Sequence, residues 1–342
     1  MFRDLPNRKE VFAWGMFDLA NQSFSLLINT LLFALFLKAV VLQDAPFSDF
    51  AWSMFGAISL GIVVLTGPGF GAWADGRARK KQALIVSGLC CSVLTCLLAL
   101  APAGAERGLI PALLITACLY VPANTAYHYG ENFLASFLPE IAGRRIMGRV
   151  SAIGFTMGFT GALVLMILSA AASLAFGWED PAEYRPLLLF AGIWFGCMMI
   201  PTILWLPEAA RPAPAPAGAS AFRVALLRLA RTAREAKEFR DLGALLLAFL
   251  IYGMGVQVIV FFAGVIARYD FGFSTPMLLA FSMFVTVFAA IGSGVTAVFQ
   301  DRAGHKTTNL LFLANWAVTA AGVAVLSGLR SASADPDAFP VW

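Results

Sequence analysis

Long apolar stretches separated by short polar segments run the length of the chain. Nine of these stretches reach the roughly 20 residues that a helix needs to cross a lipid bilayer. Prolines, glycines and charged residues fill the segments between them. The pattern therefore predicts nine membrane-spanning helices, near residues 11–40, 50–73, 82–101, 109–132, 150–176, 187–206, 242–266, 276–299 and 308–328.

The composition favours lipid as the solvent of these stretches. Of the 342 residues, 60% are hydrophobic and 13% are charged, and that charged fraction is about half the value for soluble domains. The prediction is an all-α membrane protein. The net charge of +4 does not indicate nucleic acid, because the charges form short clusters between apolar runs. The five cysteines lie inside apolar runs and are interpreted as small core residues, with no disulfide framework or metal site expected.

The basic residues predict the orientation of the chain. Nineteen of the 24 Lys and Arg residues lie in segments that share one side of the membrane with the N-terminus. Cytoplasmic segments carry such an excess, so the N-terminus is expected in the cytoplasm. No cleavable signal peptide is expected, since the first apolar run is too long for one. The predicted location is a multi-pass position in a bacterial cytoplasmic membrane, with the lipid bilayer as partner.

Residues 207–241 differ in composition from the rest of the sequence. A proline–alanine run is followed by a basic stretch in which Phe222 and Leu226 share one helix face and Arg223 and Arg231 favour the other. This pattern predicts a stiff linker and an amphipathic helix on the cytoplasmic lipid surface. The expected organisation is a six-helix half at 1–206, the linker at 207–241, and a partial half with three helices and an outer tail at 242–342.

A charged turn after the second predicted span recurs, in altered form, after the eighth. The first copy covers 71–81 (GAWADGRARKK) and the second 297–306 (AVFQDRAGHK). Two helix bundles joined by a basic linker, with this turn in each, resemble the major facilitator superfamily. Three stretches resemble its vacuole-effluxer-related branch, also called the unknown major facilitator family: 14–24 (WGMFDLANQSF), 132–139 (NFLASFLP) and 148–161 (GRVSAIGFTMGFTG).

The resemblance implies movement of a small solute, and relatives in vacuoles export amino acids. It also implies a mechanical role for the charged turns as a cytoplasmic gate, in which Asp75 pairs with Arg79 or Arg149. The gate residues so implied are Gly71, Asp75, Arg79, Lys80, Arg149, Asp301, Arg302 and Lys306. The alternative is that the basic residues only fix topology and touch anionic lipid. The sequence departs from the family pattern in having nine spans where twelve are usual, and Gly253 and Met254 where an Asn-Asp pair is expected.

The first span carries a polar stripe. The residues at helical spacing are Asp18, Asn21, Gln22, Ser25 and Asn29, and a lipid-facing aspartate alone costs about 2.5–3.5 kcal/mol. The stripe must therefore face the protein interior or a water-filled path. Two roles stay open: a solute path with Asp18 as gate or proton carrier, or a structural tie between helices.

The fourth span carries a second stripe, made of Tyr120, Asn124, Tyr127, His128 and Glu131. His128 and Glu131 lie three residues apart on one helix face, so they can share a proton or form a structural pair. In the seventh span, Gln257 lies in a polar patch and is either a solute contact or a link between helices.

Three functions compete. The first is a secondary active transporter that uses alternating access, needs no cofactor, and takes a small-molecule solute with protons as a coupling option. The second is a truncated, non-transporting remnant, which the count of nine spans favours. The third is a polytopic membrane enzyme, which the sequence disfavours because it has two histidines and neither a His-Glu-x-x-His nor a Gly-x-Ser-x-Gly motif.

Overall fold

The computed structural model describes residues 7–143, 146–208, 240–303 and 305–332. Helices make up most of these ranges, and no β-strand occurs in them, which confirms the all-α class. The helices are α1 (Arg8–Ser23), α2 (Phe33–Phe36), α3 (Ser48–Gly76), α4 (Lys80–Leu98), α5 (Gly104–Arg107), α6 (Leu109–Ile141), α7 (Met147–Phe176), α8 (Arg185–Met198), α9 (Ile200–Trp205), α10 (Arg240–Val265), α11 (Thr275–Ala303) and α12 (His305–Ala332).

The number of membrane-crossing helices agrees with the sequence pattern. Within the described ranges, eight helices, with α8 and α9 taken together, are long and apolar enough to span a bilayer. A ninth span forms if the first, bent helix pair is taken as one. This pair joins Arg8–Leu31 to Phe33–Val41 through a 43° bend.

The first span changes helix type part-way along. At Ser23, α1 passes into π-helical turns over Phe24–Leu31. Such turns inside a helical span occur frequently at functional sites. They contain Ser25 and Asn29, so the end of the polar stripe lies on this wider helix.

Prolines account for two features of the spans that the sequence pattern does not predict. The sequence predicts that the fourth span ends near residue 132, but α6 continues to Ile141 through Pro139. This proline leaves the carbonyl of Ala135 without its helical donor, and Ala135 is exposed. The sixth span is divided between α8 and α9, because Pro201 cannot donate to the carbonyl of Cys197.

Hydrogen bonds fix α1 inside its bundle. The Trp14 indole Nε1 donates to the carbonyl of Leu134 on α6 at 2.8 Å. The Thr202 hydroxyl of α9 donates to the carbonyl of Ala13 at 2.7 Å. Phe17, one turn further along α1, is completely buried. These contacts hold the start of the polar stripe at a fixed depth between α6 and α9.

Glycines allow α7 to approach α1 closely. A Cβ added at Gly161 would lie 2.8 Å from the carbonyl oxygen of Leu19, and one at Gly158 would lie 2.5 Å from Asp18 Oδ2. Gly154 meets the ring of Trp14 in the same way. The sequence spacing of these glycines therefore serves helix packing, as small residues do in membrane bundles.

The chain divides into two compact units. The first contains Met1–Ala162 and Pro181–Arg240, and the second contains Leu163–Asp180 and Asp241–Trp342. In the second unit the Thr275 hydroxyl donates to the carbonyl of Glu179 at 2.6 Å, and Arg268 pairs with Asp180 at 3.7 Å. The predicted halves at 1–206 and 242–342 stay predictions. The basic amphipathic helix predicted within 207–241 lies almost entirely outside the described residues.

The cysteines are all free thiols, and only Cys91 is buried. The interpretation as core residues is wrong for Cys90, Cys118 and Cys197, which are exposed on the helix surface. The outer face of a membrane helix contacts lipid that is as apolar as a core. A position inside an apolar run therefore does not distinguish an inward thiol from an outward one.

Candidate transport site

The polar stripe of the first span lies against the polar stripe of α6. Asn29 Nδ2 donates to Asn124 Oδ1 at 3.1 Å, and the Tyr120 hydroxyl donates to Asn29 Oδ1 at 2.8 Å. Tyr120 and Asn124 are buried. In this series of hydrogen bonds, Tyr120 donates to Asn29, and Asn29 in turn donates to Asn124. The amide N–H groups of Asn124 are left for a further acceptor.

Aromatic rings fix the direction of the Tyr120 hydroxyl. The Tyr120 ring lies parallel to that of Phe33 at 5.3 Å between centroids and contacts Phe55 at 5.6 Å and Trp52 at 5.0 Å. A buried tyrosine hydroxyl needs a polar partner. Since the ring is enclosed by apolar groups, the bond to Asn29 supplies that partner and orients the amide.

The acidic part of the site lies about two to three helical turns nearer the start of α1. Asn21 donates its side-chain amide to a carboxylate oxygen of Glu131. Gln22 forms a side-chain hydrogen bond with Asp18, whose carboxylate lies against the backbone of Gly158. Asp18 and Glu131 are close enough to interact electrostatically, and like charges repel. This group of four polar side chains, Asp18, Asn21, Gln22 and Glu131, is called the acid pair site below.

His128 does not pair with Glu131 in the structure. Its ring packs edge-on against Tyr127 at 5.0 Å, while Glu131 accepts the hydrogen bond from Asn21. The Tyr127 hydroxyl forms a side-chain hydrogen bond with Ser25 instead. The two stripes are therefore joined by Asn21–Glu131, Ser25–Tyr127 and Asn29–Asn124 in succession. Proton sharing between His128 and Glu131 has no direct contact to support it.

The charged turn between α3 and α4 is organised by Lys80. Its Nζ lies 3.2 Å from Asp75 Oδ1 and 2.5 Å from Glu140 Oε1 at the end of α6. Asp75 thus pairs with Lys80, and its expected pairing with Arg79 or Arg149 stays a prediction. As the first residue of α4, Lys80 returns toward the last turn of α3, whereas the Arg79 side chain is exposed. The side chain of Arg149 lies outside the described residues.

A carboxylate from the end of the sixth span caps the same turn. Glu208 accepts hydrogen bonds from the backbone N–H groups of Lys81 at 2.8 Å and Gln82 at 3.3 Å. A negative charge at a helix N-terminus satisfies free donors and complements the helix dipole. Gly71 lies in the last third of α3, where an added Cβ would meet nothing within 4 Å.

Sequence reasoning missed Glu140 and Glu208. Both directly follow a proline at the end of an apolar run, Pro139 and Pro207. Such a position is typical of a loop boundary and does not by itself indicate an ion-pair partner. A carboxylate at the end of a span, on the side where the Lys–Arg clusters are predicted, is the signal that would have found them.

The remaining predicted residues belong to the second unit. Gln257 is exposed on α10 in the second unit. Lys306 is exposed in the first turn of α12. Asp301 and Arg302 occupy the last turn of α11, and their side chains lie outside the described residues.

Comparison with known proteins decides the family. Residues 144–330 match the family model described as vacuole effluxer Atg22 like. The chain belongs to this family. It is 26% identical over 310 residues to the uncharacterized MFS-type transporter YxiO of Bacillus subtilis (strain 168), and the alignment covers 87% of this chain and 69% of that protein. No solved structure matches the sequence.

These matches confirm the resemblance to the major facilitator superfamily. The Atg22-like chain is a multi-pass membrane protein of a secondary transporter family, with a small-molecule solute as its implied partner, and the matches point away from an enzyme. Among the residues that the structure describes, no group of three or more His, Cys, Asp or Glu side chains could hold a metal ion.

Proposed function

We propose that this Atg22-like protein moves a small polar solute across the membrane by alternating access, coupled to protons. The observation that carries the proposal is the joining of two polar stripes, one on the first span and one on α6, in the interior of the first unit. Polar groups at membrane depth are costly, so they are kept where a substrate or ion path needs them. The acid pair site and the Tyr120–Asn29–Asn124 series are two ends of that path.

The proton is the proposed coupling ion because the acid pair site contains two carboxylates. Within the described residues, neither Asp18 nor Glu131 is in an ion pair with Lys or Arg. Two neighbouring carboxylates away from water avoid repulsion when one of them binds a proton. Asp18 and Glu131 are therefore proposed to exchange a proton as the path opens to each side.

Neutral hydrogen-bonding groups define the proposed solute. Asn29, Asn124 and Tyr120 offer amide and hydroxyl groups but no charge, which suits a neutral or zwitterionic molecule. Amino acids have this character, and export is the direction named in the description of the family. Amino-acid export is accordingly the first substrate hypothesis to test.

The turn between α3 and α4 is proposed as the cytoplasmic gate. Lys80 bridges carboxylates from α3 and α6, and Glu208 joins the end of α9 to the start of α4. Such a cluster holds four helix ends together in one state and must separate when the path opens on this side. The excess of basic residues supports a cytoplasmic N-terminus, and the Bacillus relative supports the cytoplasmic membrane of a bacterium.

Uptake into proteoliposomes tests the proposal. Purified protein is reconstituted, a pH gradient is imposed, and the accumulation of individual labelled amino acids is compared with that in protein-free liposomes. Accumulation that collapses on addition of a protonophore is the expected result. Uptake of one amino acid that ignores the pH gradient would overturn proton coupling, and no uptake of any amino acid would overturn the substrate class.

A further inference from the structure

The side-chain amide of Asn21 has a hydrogen-bond partner for its nitrogen but none for its oxygen among the described residues. Its Nδ2 donates to Glu131, whereas its Oδ1 is buried and has no hydrogen-bond partner among the described residues. The residue is only 2% exposed. A buried amide oxygen without a donor is rare in native proteins and calls for an explanation. Its position in the acid pair site supplies one.

We propose that the Asn21 side chain reports the protonation state of Glu131 by rotating its amide through 180°, and so couples proton binding to solute recognition. This inference rests on the proposed proton-coupled function. When Glu131 is ionised, it can only accept, and the Asn21 NH2 group is the matching donor. When Glu131 binds a proton, its O–H becomes a donor, and the matching partner is Asn21 Oδ1. No proton passes to Asn21, and its rotation exchanges only hydrogen bonds.

The rotation changes what Asn21 presents on its other side. With Glu131 ionised, that side carries the unpartnered Oδ1, an acceptor. With Glu131 protonated, it carries the NH2 group, a donor. A solute carbonyl or carboxylate can then be bound in the protonated state and is released when the proton leaves. The unpartnered Asn21 Oδ1 therefore belongs to the state in which Glu131 is ionised, and the rotated amide belongs to the state in which Glu131 is protonated.

Among the polar neighbours of Glu131, Asn21 is the one whose hydrogen bond we expect to change when Glu131 binds a proton. The titratable groups that interact with Glu131 are Asp18 on α1 and Tyr127 on its own helix. Gln22 is engaged with Asp18, and the Tyr127 hydroxyl is engaged with Ser25. From the other packed helices, Gly158 of α7 lies against Asp18, and Ser87 of α4 lies 3.7 Å from a Cβ added at Gly130, next to Glu131; neither residue titrates.

Infrared difference spectroscopy tests the rotation without any solute. Reconstituted protein carrying ¹³C-labelled asparagine is compared between acid and alkaline buffer. The wild type is expected to show a shift of one labelled amide C=O band that is lost in both Asn21→Leu and Glu131→Gln. Ser23→Ala is the matched control, because Ser23 is buried on the same helix and its hydroxyl donates to the carbonyl of Ala20 within that helix. It should keep the band shift.

Transport then separates this inference from the proposed function. Asn21→Leu should lose accumulation driven by a pH gradient, whereas Ser23→Ala should keep it. If the wild type is proton-coupled but shows no labelled band shift, or if Asn21→Leu stays fully coupled, the role of Asn21 is overturned and the proposed function stands. If the band shift is present but wild-type uptake does not depend on the pH gradient, the proposed proton-coupled function is overturned. The rotation of the Asn21 amide on protonation of Glu131 is then still supported.

Discussion

Asn21 on α1 donates its side-chain amide to the carboxylate of Glu131 on α6. This bond joins two helices that each carry a polar stripe, and it lies beside a second carboxylate, Asp18. Lipid could not accept either stripe alone. The pairing therefore explains how both stripes are tolerated and why they lie together in the interior of one bundle.

Glu131→Gln is expected to abolish uptake driven by a pH gradient. Glutamine keeps the size of the side chain and its bond to Asn21 but carries no titratable proton. The expected loss of accumulation is about 5- to 150-fold, the usual range for coupling between two ligands. The measurement is labelled solute uptake in proteoliposomes with and without protonophore.

Glu106→Gln is the control for that experiment. Glu106 is an exposed carboxylate on α5, so this variant makes the same chemical change outside the path. It should behave as the wild type. Proton-driven accumulation that survives in Glu131→Gln would remove Glu131 from the mechanism.

The spans and the stripes could be predicted from the sequence because both depend on local periodicity. The length of an apolar run predicts a membrane span, and the spacing of Asp18, Asn21 and Asn29 predicts that they share one face of the first helix. The partners of these residues depend on how helices pack, which periodicity does not contain. Glu131 therefore binds Asn21 on another helix and not His128, its neighbour in sequence.

The charged turn between α3 and α4 also has a part that the sequence predicts and a part that only helix packing determines. Its location between two spans followed from the sequence, whereas the choice of Lys80 over Arg79 as the partner of Asp75 depends on the first turn of α4. Glu140 and Glu208 come from two other helix ends, 60 and more residues away. Only the three-dimensional fold brings those carboxylates to the turn.

Tyr120→Phe is expected to destabilise the protein by about 0.5–1.5 kcal/mol, the net contribution of a typical intramolecular hydrogen bond. The hydroxyl donates to Asn29 Oδ1 at 2.8 Å, and the ring contacts that enclose it are unchanged by the substitution. Solute affinity should fall as well, because the Asn29 amide loses its orientation. Thermal unfolding in detergent measures the first effect and uptake kinetics the second.

Tyr252→Phe serves as the matched variant for that test. Tyr252 is exposed on α10, so loss of its hydroxyl should leave the unfolding temperature unchanged. An equal effect of the two substitutions would show that the bond from Tyr120 to Asn29 contributes nothing specific.

Gly158→Ala should inactivate transport while the protein still inserts and folds. The added Cβ would lie 2.5 Å from Asp18 Oδ2 and 3.2 Å from its Cγ, so the carboxylate must move out of its place between α1 and α7. Gly148→Ala is the control on the same helix, since a Cβ there meets nothing within 4 Å. The comparison uses uptake per unit of reconstituted protein. Normal uptake by Gly158→Ala would show that the position of the Asp18 carboxylate does not matter.

Lys80→Met is expected to slow transport more than Arg79→Met does. Lys80 lies between the carboxylates of Asp75 and Glu140, and its removal leaves them to repel each other, whereas Arg79 is exposed. These ion pairs are partly exposed and each contributes at most about 1 kcal/mol, so a change of about two- to fivefold in rate is expected with the fold intact. Each substitution removes one basic residue from the same turn, so any effect on membrane topology is matched. Initial uptake rates are compared at equal protein content, and equal rates for the two variants would exclude the Lys80 cluster from the transport cycle.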